Sequence, residues 1–302
     1  MKLLLFGGNG QVGTELRRSL ARLGDVVVTT RSGRLPDGIQ CETADFNAPE
    51  TLAALIGRVA PDVVVNAAAY TAVDAAEDDA AAAFRANAVA PHVIAEACSR
   101  RDALLVHYST DYVFDGCGSR PYSEHDPVSP LGVYGASKLA GEIAIRDSGA
   151  RHLIFRTAWV YATHGRNFLL TMLRLASERD ELRVVADQIG SPTPAALIAD
   201  VTAQVLGVSP EHSGLWHLTS GGQTSWHGFA EAIMAQAFDR RLLPRKPHIA
   251  PISTADYPTR AARPAYSVLD CRLLEAELGI TLPHWHDALG DVLDGLLHTL
   301  QQ

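Results

Sequence analysis

The sequence predicts an α/β fold: a doubly wound parallel sheet with helices on both faces, followed by a smaller and less regular C-terminal lobe. Three observations lead to this prediction. A strand-like run, a glycine-rich turn and a helical pattern follow one another at the start of the chain. Strand-like and helical runs then alternate up to Thr157, an order typical of doubly wound sheets. Beyond Thr157 the alternation is interrupted by prolines, namely Pro192, Pro194, Pro244, Pro247, Pro251, Pro258 and Pro264.

The first element is the apolar run Lys2–Phe6, and the glycine-rich segment Gly7–Gly13 follows it directly. Glycines at positions 7, 10 and 13 permit a tight turn, a close approach of the backbone to a pyrophosphate, and close packing of the next helix. The N–H groups at the start of that helix would face the anion. A glycine turn between a strand and a helix therefore predicts a dinucleotide site of the Rossmann type, although a turn that binds nothing is the alternative. The predicted contacts from this turn are Gly7, Asn9, Gly10, Gln11, Val12 and Gly13.

Later elements extend the same sheet. The strand-like runs are Val26–Thr30, Val63–Asn66, Leu104–Ser109 and His152–Thr157, and the helical runs are Pro49–Val59, Ala80–Ser99 and Leu131–Arg146. In open parallel sheets ligands bind beyond the carboxyl ends of the strands, so the small and polar residues that follow these strands are expected to line one crevice. We therefore predict a dinucleotide-binding domain over residues 1–157, with a contribution from about 195–220, and a mainly substrate-binding lobe over residues 158–302.

Composition and charge argue against several classes of protein. The chain has 302 residues and a net charge of −8, from 34 acidic and 26 basic residues, so no nucleic-acid partner is expected. The sequence lacks an apolar run long enough to span a membrane, and Met1 leads straight into a strand rather than a signal peptide. The four cysteines are scattered, and His284 and His286 have no partner ligand in the pattern. We therefore predict a cytoplasmic protein with reduced thiols, no membrane association and no metal site.

The clearest sign of chemistry is the pair Tyr134 and Lys138, four residues apart in a helical run. Residues with this spacing share one face of a helix. A neighbouring ammonium lowers the phenol pKa from its usual value of about 10, which makes tyrosine a better acid–base group near neutral pH. By itself the pattern is weak, because both residue types are common on helix surfaces. Thr110, which follows a strand, is the third candidate, unless it only packs there.

With the glycine turn and this trio in place, the chain resembles the extended short-chain dehydrogenase/reductase superfamily. Within that superfamily it is most similar to the dTDP-4-dehydrorhamnose reductase family, over nearly the whole length. The later segments are the specific ones, because the glycine turn and the Tyr-x-x-x-Lys pattern occur throughout the superfamily. The matching segments are residues 7–13, 66–74, 87, 109–116, 134–138, 156–161, 187–193 and 263–264.

The resemblance implies a role for each member of the trio. Tyr134 would protonate the C4 carbonyl oxygen of a keto sugar as a hydride arrives from the nicotinamide. Lys138 would bond the nicotinamide ribose and lower the Tyr134 pKa, and Thr110 would donate a hydrogen bond to the same carbonyl oxygen. Further cofactor contacts implied by the resemblance are Ala67, Ala68, Ala69, Tyr70 and Asn87. The implied substrate contacts are Val73, Thr110, Asp111, Tyr112, Trp159 and Arg263, with a buried core position as the alternative for Trp159.

The residue after Asp111 separates two enzyme activities. Related nucleotide-sugar 4,6-dehydratases carry glutamate where this chain has Tyr112, and a phenol is a poor substitute for a carboxylate in the elimination of water. The resemblance therefore implies reduction of dTDP-4-dehydro-L-rhamnose (dTDP-6-deoxy-L-lyxo-4-hexulose) to dTDP-L-rhamnose, the last step of dTDP-rhamnose biosynthesis for cell-surface polysaccharide. Two alternatives stay open: a reductase or epimerase of another nucleotide sugar, and a non-catalytic regulatory subunit with the same fold.

The cofactor is predicted to be NADPH, with NADH as the alternative. Folds that prefer NAD usually place an acidic residue about 20 positions beyond the glycine turn, where it binds the ribose 2′-OH. Here the second strand ends in Thr-Thr-Arg-Ser, without an acid. Arg31 would pair with the 2′-phosphate of NADPH, unless it is an ordinary surface residue. Asp45 and Phe46, at the end of a predicted third strand, would flank the adenine.

The resemblance also raises the question of a metal. Some members of the family dimerise through a metal ion held by glutamates, and Glu15 matches one of the positions. The segment 194–197, where a second glutamate would lie, reads Pro-Ala-Ala-Leu. Without that carboxylate a hard cation loses an oxygen ligand. We therefore predict a monomer or weak dimer without a metal bridge.

Overall fold

The computed structural model describes residues 1–208 and 212–300. The predicted ranges 195–220 and 158–302 therefore include five residues, 209–211 and 301–302, that lie outside the described part of the chain. Its strands are β1 (Lys2–Phe6), β2 (Asp25–Thr30), β3 (Glu42–Thr43), β4 (Val63–Asn66), β5 (Leu104–Thr110), β6 (His152–Thr157), β7 (Val160–Tyr161), β8 (Glu181–Val185), β9 (Ile189–Gly190), β10 (Thr193–Pro194), β11 (Gly214–His217), β12 (Thr224–Ser225) and β13 (His248–Ile252).

Helices separate most of these strands. They are α1 (Gln11–Leu20), α2 (Glu50–Val59), α3 (Val73–Ala76), α4 (Ala80–Phe84), α5 (Ala90–Ser99), α6 (Val133–Asp147), α7 (Phe168–Glu178), α8 (Ala195–Val208), α9 (Trp226–Asp239), α10 (Arg272–Leu278) and α11 (Trp285–Leu300). A π-helical turn, Arg85–Val89, joins α4 to α5, and Asp111–Val113 forms a single 3₁₀ turn after β5. None of the helices in the described ranges is long and apolar enough to cross a membrane.

The central sheet confirms the predicted α/β fold. It has seven strands in the order β11-β6-β5-β4-β1-β2-β3, and neighbouring strands are parallel. From β1 the chain adds β2 and β3 on one side and then β4, β5 and β6 on the other, so the strand order reverses between β1 and β4. Ligands of doubly wound sheets bind at this point, beyond the carboxyl ends of the strands. Strand β11 pairs with β6, so a segment far along the sequence completes the sheet.

Two apolar layers hold the sheet between its helices. Parallel strands are buried on both faces, and β1 is an example, because Leu3, Leu4, Leu5 and Phe6 are all fully buried. Side chains alternate between the faces of a strand. Leu3 and Leu5 consequently pack with residues of α1 and α8, whereas Leu4 and Phe6 pack with residues of α2 and α5.

The C-terminal lobe has its own apolar core. Strands β8 and β13 pair in parallel, and helices α7, α9 and α11 pack around them. Aromatic residues fill the centre: Tyr161 and Phe229 are buried with ring centroids 5.2 Å apart, and Trp285 meets Phe229 edge to face. This lobe contacts the start of α1 through Asn167, which donates a hydrogen bond to Gln11.

The predicted helix over residues 80–99 is continuous but contains the π turn, and the reason lies in one residue. Pro91 has no N–H, so the helix cannot make the usual bond to the carbonyl of Asn87. Helix α6 passes close to that carbonyl: a Cβ at Gly141 would lie 2.1 Å from the Asn87 oxygen. Such π turns occur often at functional sites, and the Asn87 side chain within this one contacts Tyr70 and Ser137.

Candidate active site

The glycine turn has the close backbone contacts that a dinucleotide site requires. Gly7 adopts φ +78°, which favours glycine, and a Cβ there would lie 2.7 Å from the Ala68 nitrogen. A Cβ at Gly13 would lie 2.0 Å from the Gly7 oxygen, so only glycine lets α1 pack so closely against the turn. No side chain caps α1, and its first turn contains no acidic residue. These features fit the pyrophosphate of a dinucleotide at the helix start.

The carboxyl end of β2 presents positive charge. Thr30 organises the turn that follows, because its hydroxyl accepts the Arg34 N–H at 3.1 Å and donates to the Arg34 carbonyl at 3.0 Å. Arg31 and Arg34 are both exposed. Arg34 was not singled out from the sequence, although the Arg-x-x-Arg spacing within a tight turn was visible there. Two guanidinium groups at this point suit a 2′-phosphate, since arginine binds phosphate in a bidentate manner.

The expected adenine-flanking residues lie one turn beyond the third strand. Strand β3 ends at Thr43, so Asp45 and Phe46 follow it rather than end it. Asp45 accepts the Asn47 N–H at 3.0 Å, and the Phe46 ring meets Phe6 edge to face at 5.7 Å. Sequence reasoning placed the strand end two residues late, as is common for strand boundaries.

Asn87 supports the loop after β4. Its side-chain oxygen accepts the Tyr70 N–H at 2.8 Å, and its amide nitrogen donates to the Tyr70 carbonyl and to Ser137 Oγ, both at 3.0 Å. Both amide hydrogens are therefore used within the protein. Asn87 thus positions the loop with Ala67, Ala68 and Ala69 against the glycine turn rather than offering free donors to a ligand.

The predicted trio converges at the carboxyl end of β5. Thr110 ends this strand and is 4% exposed, and its hydroxyl hydrogen-bonds the Tyr134 phenol. Close packing of α6 makes this contact feasible, because a Cβ at Gly135 would lie 2.2 Å from the Tyr112 carbonyl oxygen. Lys138 lies one turn further along α6 and is buried, so the i, i+4 spacing brings phenol and amine to one face as predicted.

The pKa values of the trio depart from the sequence expectation in one respect. Burial raises the pKa of Tyr134 above its ordinary value, the Thr110 hydrogen bond acts in the opposite direction, and the nearby Asp111 raises it further. Lys138 was expected to lower this pKa, but its Nζ donates to the Tyr108 carbonyl at 2.5 Å and is itself desolvated. Burial lowers the pKa of Lys138 to about 8. Burial is the largest influence on the phenol pKa, and the Lys138 charge is not among the influences on it.

Asp111 is a buried acid beside the trio. It is 2% exposed and accepts the Thr110 hydroxyl at 3.0 Å. Burial raises the pKa of Asp111 to about 6, partly offset by the hydroxyls of Ser267 and Thr110. In the unfolded state the pKa of this carboxyl group is about 3.9. Because Asp111 is harder to ionise in the folded state, its ionisation destabilises the fold when the pH rises above these two pKa values.

We expect Asp111→Asn to raise the free energy of unfolding at pH 8 by roughly 1–3 kcal/mol, because one pKa unit corresponds to about 1.4 kcal/mol. Below about pH 3 the acid is protonated in both states, so the gain should vanish. Urea denaturation at about pH 3 and at pH 8 measures it. Asp126→Asn is the control with the opposite sign, because Arg120 lowers the pKa of Asp126 to about 2. A gain for Asp111→Asn that is independent of pH would contradict the assignment.

The proposed sugar side is built around Tyr112. Its ring meets Tyr134 edge to face at 5.6 Å, and the Arg263 guanidinium lies 5.9 Å from the ring centroid. Arg263 forms an ion pair with Asp74 at 2.7 Å, and the half-buried Val73 precedes Asp74 at the start of α3. Asp74 was not among the predicted site residues, although it lies in the matching segment 66–74. The structure thus brings Tyr112 and Arg263 together next to Tyr134.

Trp159 is held in a strained and specific position. Its φ is +46°, in a region that bulky residues rarely adopt, and strain of this kind concentrates at functional sites. The indole stacks on Trp226 with centroids 3.5 Å apart and planes 6° from parallel, and Gly190 contacts its Nε1–Cζ2 edge. Trp226 therefore occupies one face of the ring. Trp159 is half-buried, which agrees with neither a fully buried core position nor a free platform.

Glu15 has partners within the chain. Its carboxylate accepts from His164 at 3.0 Å and lies 3.4 Å from Arg18. Across residues 1–208 and 212–300, no group of three or more histidine, cysteine, aspartate or glutamate side chains is arranged to hold a metal ion. The prediction of a protein without a metal bridge stays a prediction.

The fold and the site together define a class of protein. A doubly wound sheet with a glycine turn at β1, a hydroxyl at the end of β5 and a Tyr–Lys pair on α6 is the arrangement of an extended short-chain dehydrogenase/reductase. The family model described as "RmlD substrate binding domain" matches residues 1–298.

Relatives with known names narrow this class. The chain is 52% identical to the dTDP-4-dehydrorhamnose reductase of Burkholderia thailandensis, covering 98% of this chain and 99% of the relative. It is 42% identical to the enzyme of that name from Escherichia coli K12, covering 99% of both. A crystal structure of dTDP-4-dehydrorhamnose reductase from Bacillus anthracis in complex with NADP superimposes with a TM-score of 0.88 at 32% identity, covering 97% of this chain and 99% of that one. The chain belongs to the dTDP-4-dehydrorhamnose reductase family.

Proposed function

We propose that this chain reduces the C4 ketone of dTDP-4-dehydro-L-rhamnose to the alcohol of dTDP-L-rhamnose, with NADPH as the reductant. The observation that carries the proposal is the convergence of Thr110, Tyr134 and Lys138 at the carboxyl end of β5, in the parallel sheet whose strand β1 leads into the glycine turn. In biosynthetic terms this is the last step towards dTDP-rhamnose for cell-surface polysaccharide. A Bacillus subtilis relative of 39% identity is named a spore coat polysaccharide biosynthesis protein, and this name supports a role in polysaccharide synthesis.

The proposed chemistry requires one hydride and one proton. NADPH supplies the hydride to C4 when it is bound. The Tyr134 phenol gives its proton to the carbonyl oxygen, and a phenol whose pKa lies above its ordinary value stays protonated and ready to donate. The Thr110 hydroxyl, which donates to Asp111 in the structure, would turn its hydrogen to that oxygen, orient it and stabilise the negative charge that develops on it. Lys138 lies on the same helix face, where it would hold the nicotinamide ribose.

Two other functions compete with this proposal. A reductase or epimerase of another nucleotide sugar would use the same trio, and the Arg263 side would select a different base or sugar. A non-catalytic subunit would have no need for the hydrogen-bonded Thr110 and Tyr134.

We also infer a cytoplasmic location, supported by the four unpaired cysteines, and a monomer or weak dimer.

The deciding experiment follows NADPH oxidation at 340 nm, the usual absorbance maximum of the reduced nicotinamide. The purified chain is offered dTDP-4-dehydro-L-rhamnose and, separately, UDP- and GDP-linked keto sugars. We expect rapid turnover with the dTDP sugar and slow turnover with the others, and NADP⁺ should leave after each cycle. Tightly bound NAD⁺ without net oxidation of added NADPH would instead favour the epimerase, and no turnover with any sugar would favour the regulatory subunit.

Replacing Arg31 tests the cofactor assignment. Arg31→Ala should weaken NADPH binding by roughly tenfold, because hydrogen bonds to charged groups contribute about 1.5–3 kcal/mol, and should leave NADH binding nearly unchanged. Fluorescence titration with both dinucleotides measures this. Arg22→Ala is the matched control. Arg22 is also exposed, but it precedes the amino end of β2, whereas Arg31 follows the carboxyl end. Equal losses for NADPH and NADH would mean that Arg31 does not bind the 2′-phosphate.

A further inference from the structure

The start of helix α6 carries Tyr134 but has no side-chain cap of its own. The helix begins at Val133, and the residue before it is Gly132, which has no side chain to offer. The first N–H groups of a helix have no partner within the helix. The first internal bond of α6 runs from the Ala136 N–H to the Gly132 carbonyl at 3.0 Å. Tyr134 lies within this first turn, so a contact that fixes the turn also fixes the phenol.

A carboxylate from a distant segment supplies the missing cap. Glu77 directly follows α3, and its Oε1 accepts the Val133 N–H at 2.8 Å. The same oxygen lies where a side chain at position 132 would be, because a Cβ on Gly132 would be 2.6 Å from it. Glycine at this position therefore makes room for the carboxylate. A negative group at the start of a helix is also favoured by the helix dipole.

The C-terminal lobe holds the segment from which Glu77 extends. Asp74, on α3, accepts the Ala261 N–H at 3.1 Å and the Arg263 guanidinium at 2.7 Å. Arg263 is the proposed substrate contact from that lobe. The short helix α3 thus contacts the lobe that would bind the sugar through Asp74, and the helix that carries the proton donor through Glu77.

We propose that Glu77 is a positioning residue for the reduction: its carboxylate caps α6 and thereby holds Tyr134 where the phenol meets Thr110. Glu77 acts through the backbone of α6, because the N–H that it binds belongs to the residue before Tyr134. The proposal deepens the reductase function and rests on it for the catalytic consequence. The capping contact itself rests on the geometry alone.

The first test measures the cap without any substrate. Amide hydrogen exchange, followed by mass spectrometry of peptides that cover residues 131–138, reports the opening of the first turn of α6. In Glu77→Ala we expect this turn to exchange roughly threefold to tenfold faster, the range that corresponds to the loss of an N-cap. Glu77→Gln keeps an oxygen that can accept the Val133 N–H and should exchange nearly as the wild type does. Unchanged exchange in Glu77→Ala would overturn the proposal.

The second test separates kcat from KM. If the chain reduces the keto sugar, Glu77→Ala should lower kcat by roughly threefold to tenfold, because the cap holds the turn that carries the phenol. KM and the dissociation constant of NADPH should stay within about twofold, since Lys138 lies one turn further along α6. Glu77→Gln should keep most of the wild-type kcat. If the glutamine variant loses as much kcat as the alanine variant, the hydrogen bond is not what positions Tyr134.

The matched control removes a cap of the same kind from a neighbouring helix. Asp79 caps α4 by accepting the Ala82 N–H at 3.1 Å, and it is exposed, as Glu77 is. Helix α4 carries none of the residues assigned to the site. Asp79→Ala should therefore leave kcat and the exchange of residues 131–138 unchanged. An equal loss of kcat in Asp79→Ala and Glu77→Ala would contradict a specific role for Glu77.

A second-site variant tests whether capping alone explains the effect. In the Glu77→Ala background, Gly132→Ser places a preferred N-cap residue before α6, in the space that the carboxylate has left. This double variant should recover most of the lost kcat and of the lost exchange protection, whereas no recovery in a folded protein would count against capping. Circular dichroism verifies folding. Failure of the reductase proposal would appear as absent turnover in the wild-type protein, whereas failure of the cap would appear in the exchange data.

Discussion

Tyr134→Phe should reduce turnover of the keto sugar by about 10²–10⁴-fold, the usual contribution of a positioned general acid. Phenylalanine keeps the ring, and therefore the edge-to-face contact with Tyr112 at 5.6 Å, but it has no proton to give to the carbonyl oxygen. NADPH binding should be nearly unchanged, because only the hydroxyl is lost. Steady-state kinetics and a fluorescence titration with NADPH measure the two quantities on the same protein.

Tyr112→Phe is the matched variant for this experiment. It removes the same group from the neighbouring ring, which contacts Arg263 rather than Thr110. We expect a change mainly in KM, because Tyr112 is assigned to substrate binding. If Tyr134→Phe retains wild-type turnover, or if Tyr112→Phe loses as much turnover as Tyr134→Phe, the assignment of Tyr134 as the proton donor is wrong.

Gly13→Ala should weaken NADPH binding by at least about tenfold. The new methyl group would lie 2.0 Å from the Gly7 carbonyl oxygen, so α1 or the glycine turn must move. Inserting one carbon into a tightly packed site costs about 1–3 kcal/mol, and 1.4 kcal/mol corresponds to a factor of ten in affinity. Because backbone rather than a flexible side chain blocks the methyl group, the displaced atoms are those expected to bind the pyrophosphate.

Gly57→Ala provides the control for Gly13→Ala. Gly57 lies inside α2, and a Cβ there has no atom within 4 Å. Alanine should stabilise the helix by roughly 0.5–1 kcal/mol and leave NADPH binding unchanged. Thermal unfolding, followed by circular dichroism, verifies that both variants fold. Wild-type affinity in a folded Gly13→Ala protein would show that the turn is not the cofactor site.

Sequence reasoning worked best where the relevant contacts are local. The order of a buried strand, a glycine turn and a helix can be recognised within 20 residues, because strand burial, backbone freedom and helix start all act between near neighbours. The Tyr134 and Lys138 spacing likewise depends on the geometry of one helix. Boundaries were less accurate: α6 begins at Val133 rather than two residues earlier, and β3 ends before Asp45.

The pKa of Tyr134 illustrates a different limit. The expected influence of Lys138 follows from the spacing of two residues, but desolvation depends on everything that surrounds the phenol. In the folded protein burial dominates, and the Thr110 hydrogen bond is the main influence that lowers the pKa. A pattern of residues shows which groups are neighbours, whereas the balance between their charges and the loss of water requires the packed structure.

By itself, the sequence determined the α/β fold and predicted the glycine turn and the candidate trio, because each of these depends on short stretches of chain. Only the tertiary structure decided the contacts between distant segments: Trp226 stacked on Trp159, Arg263 paired with Asp74, and Asn66 bound to His107 beneath Lys138. The physical reason is that burial and hydrogen-bond direction depend on all the atoms around a group. The Ala68 N–H, for example, donates to Asn66 Oδ1 and so decides which end of that amide meets His107.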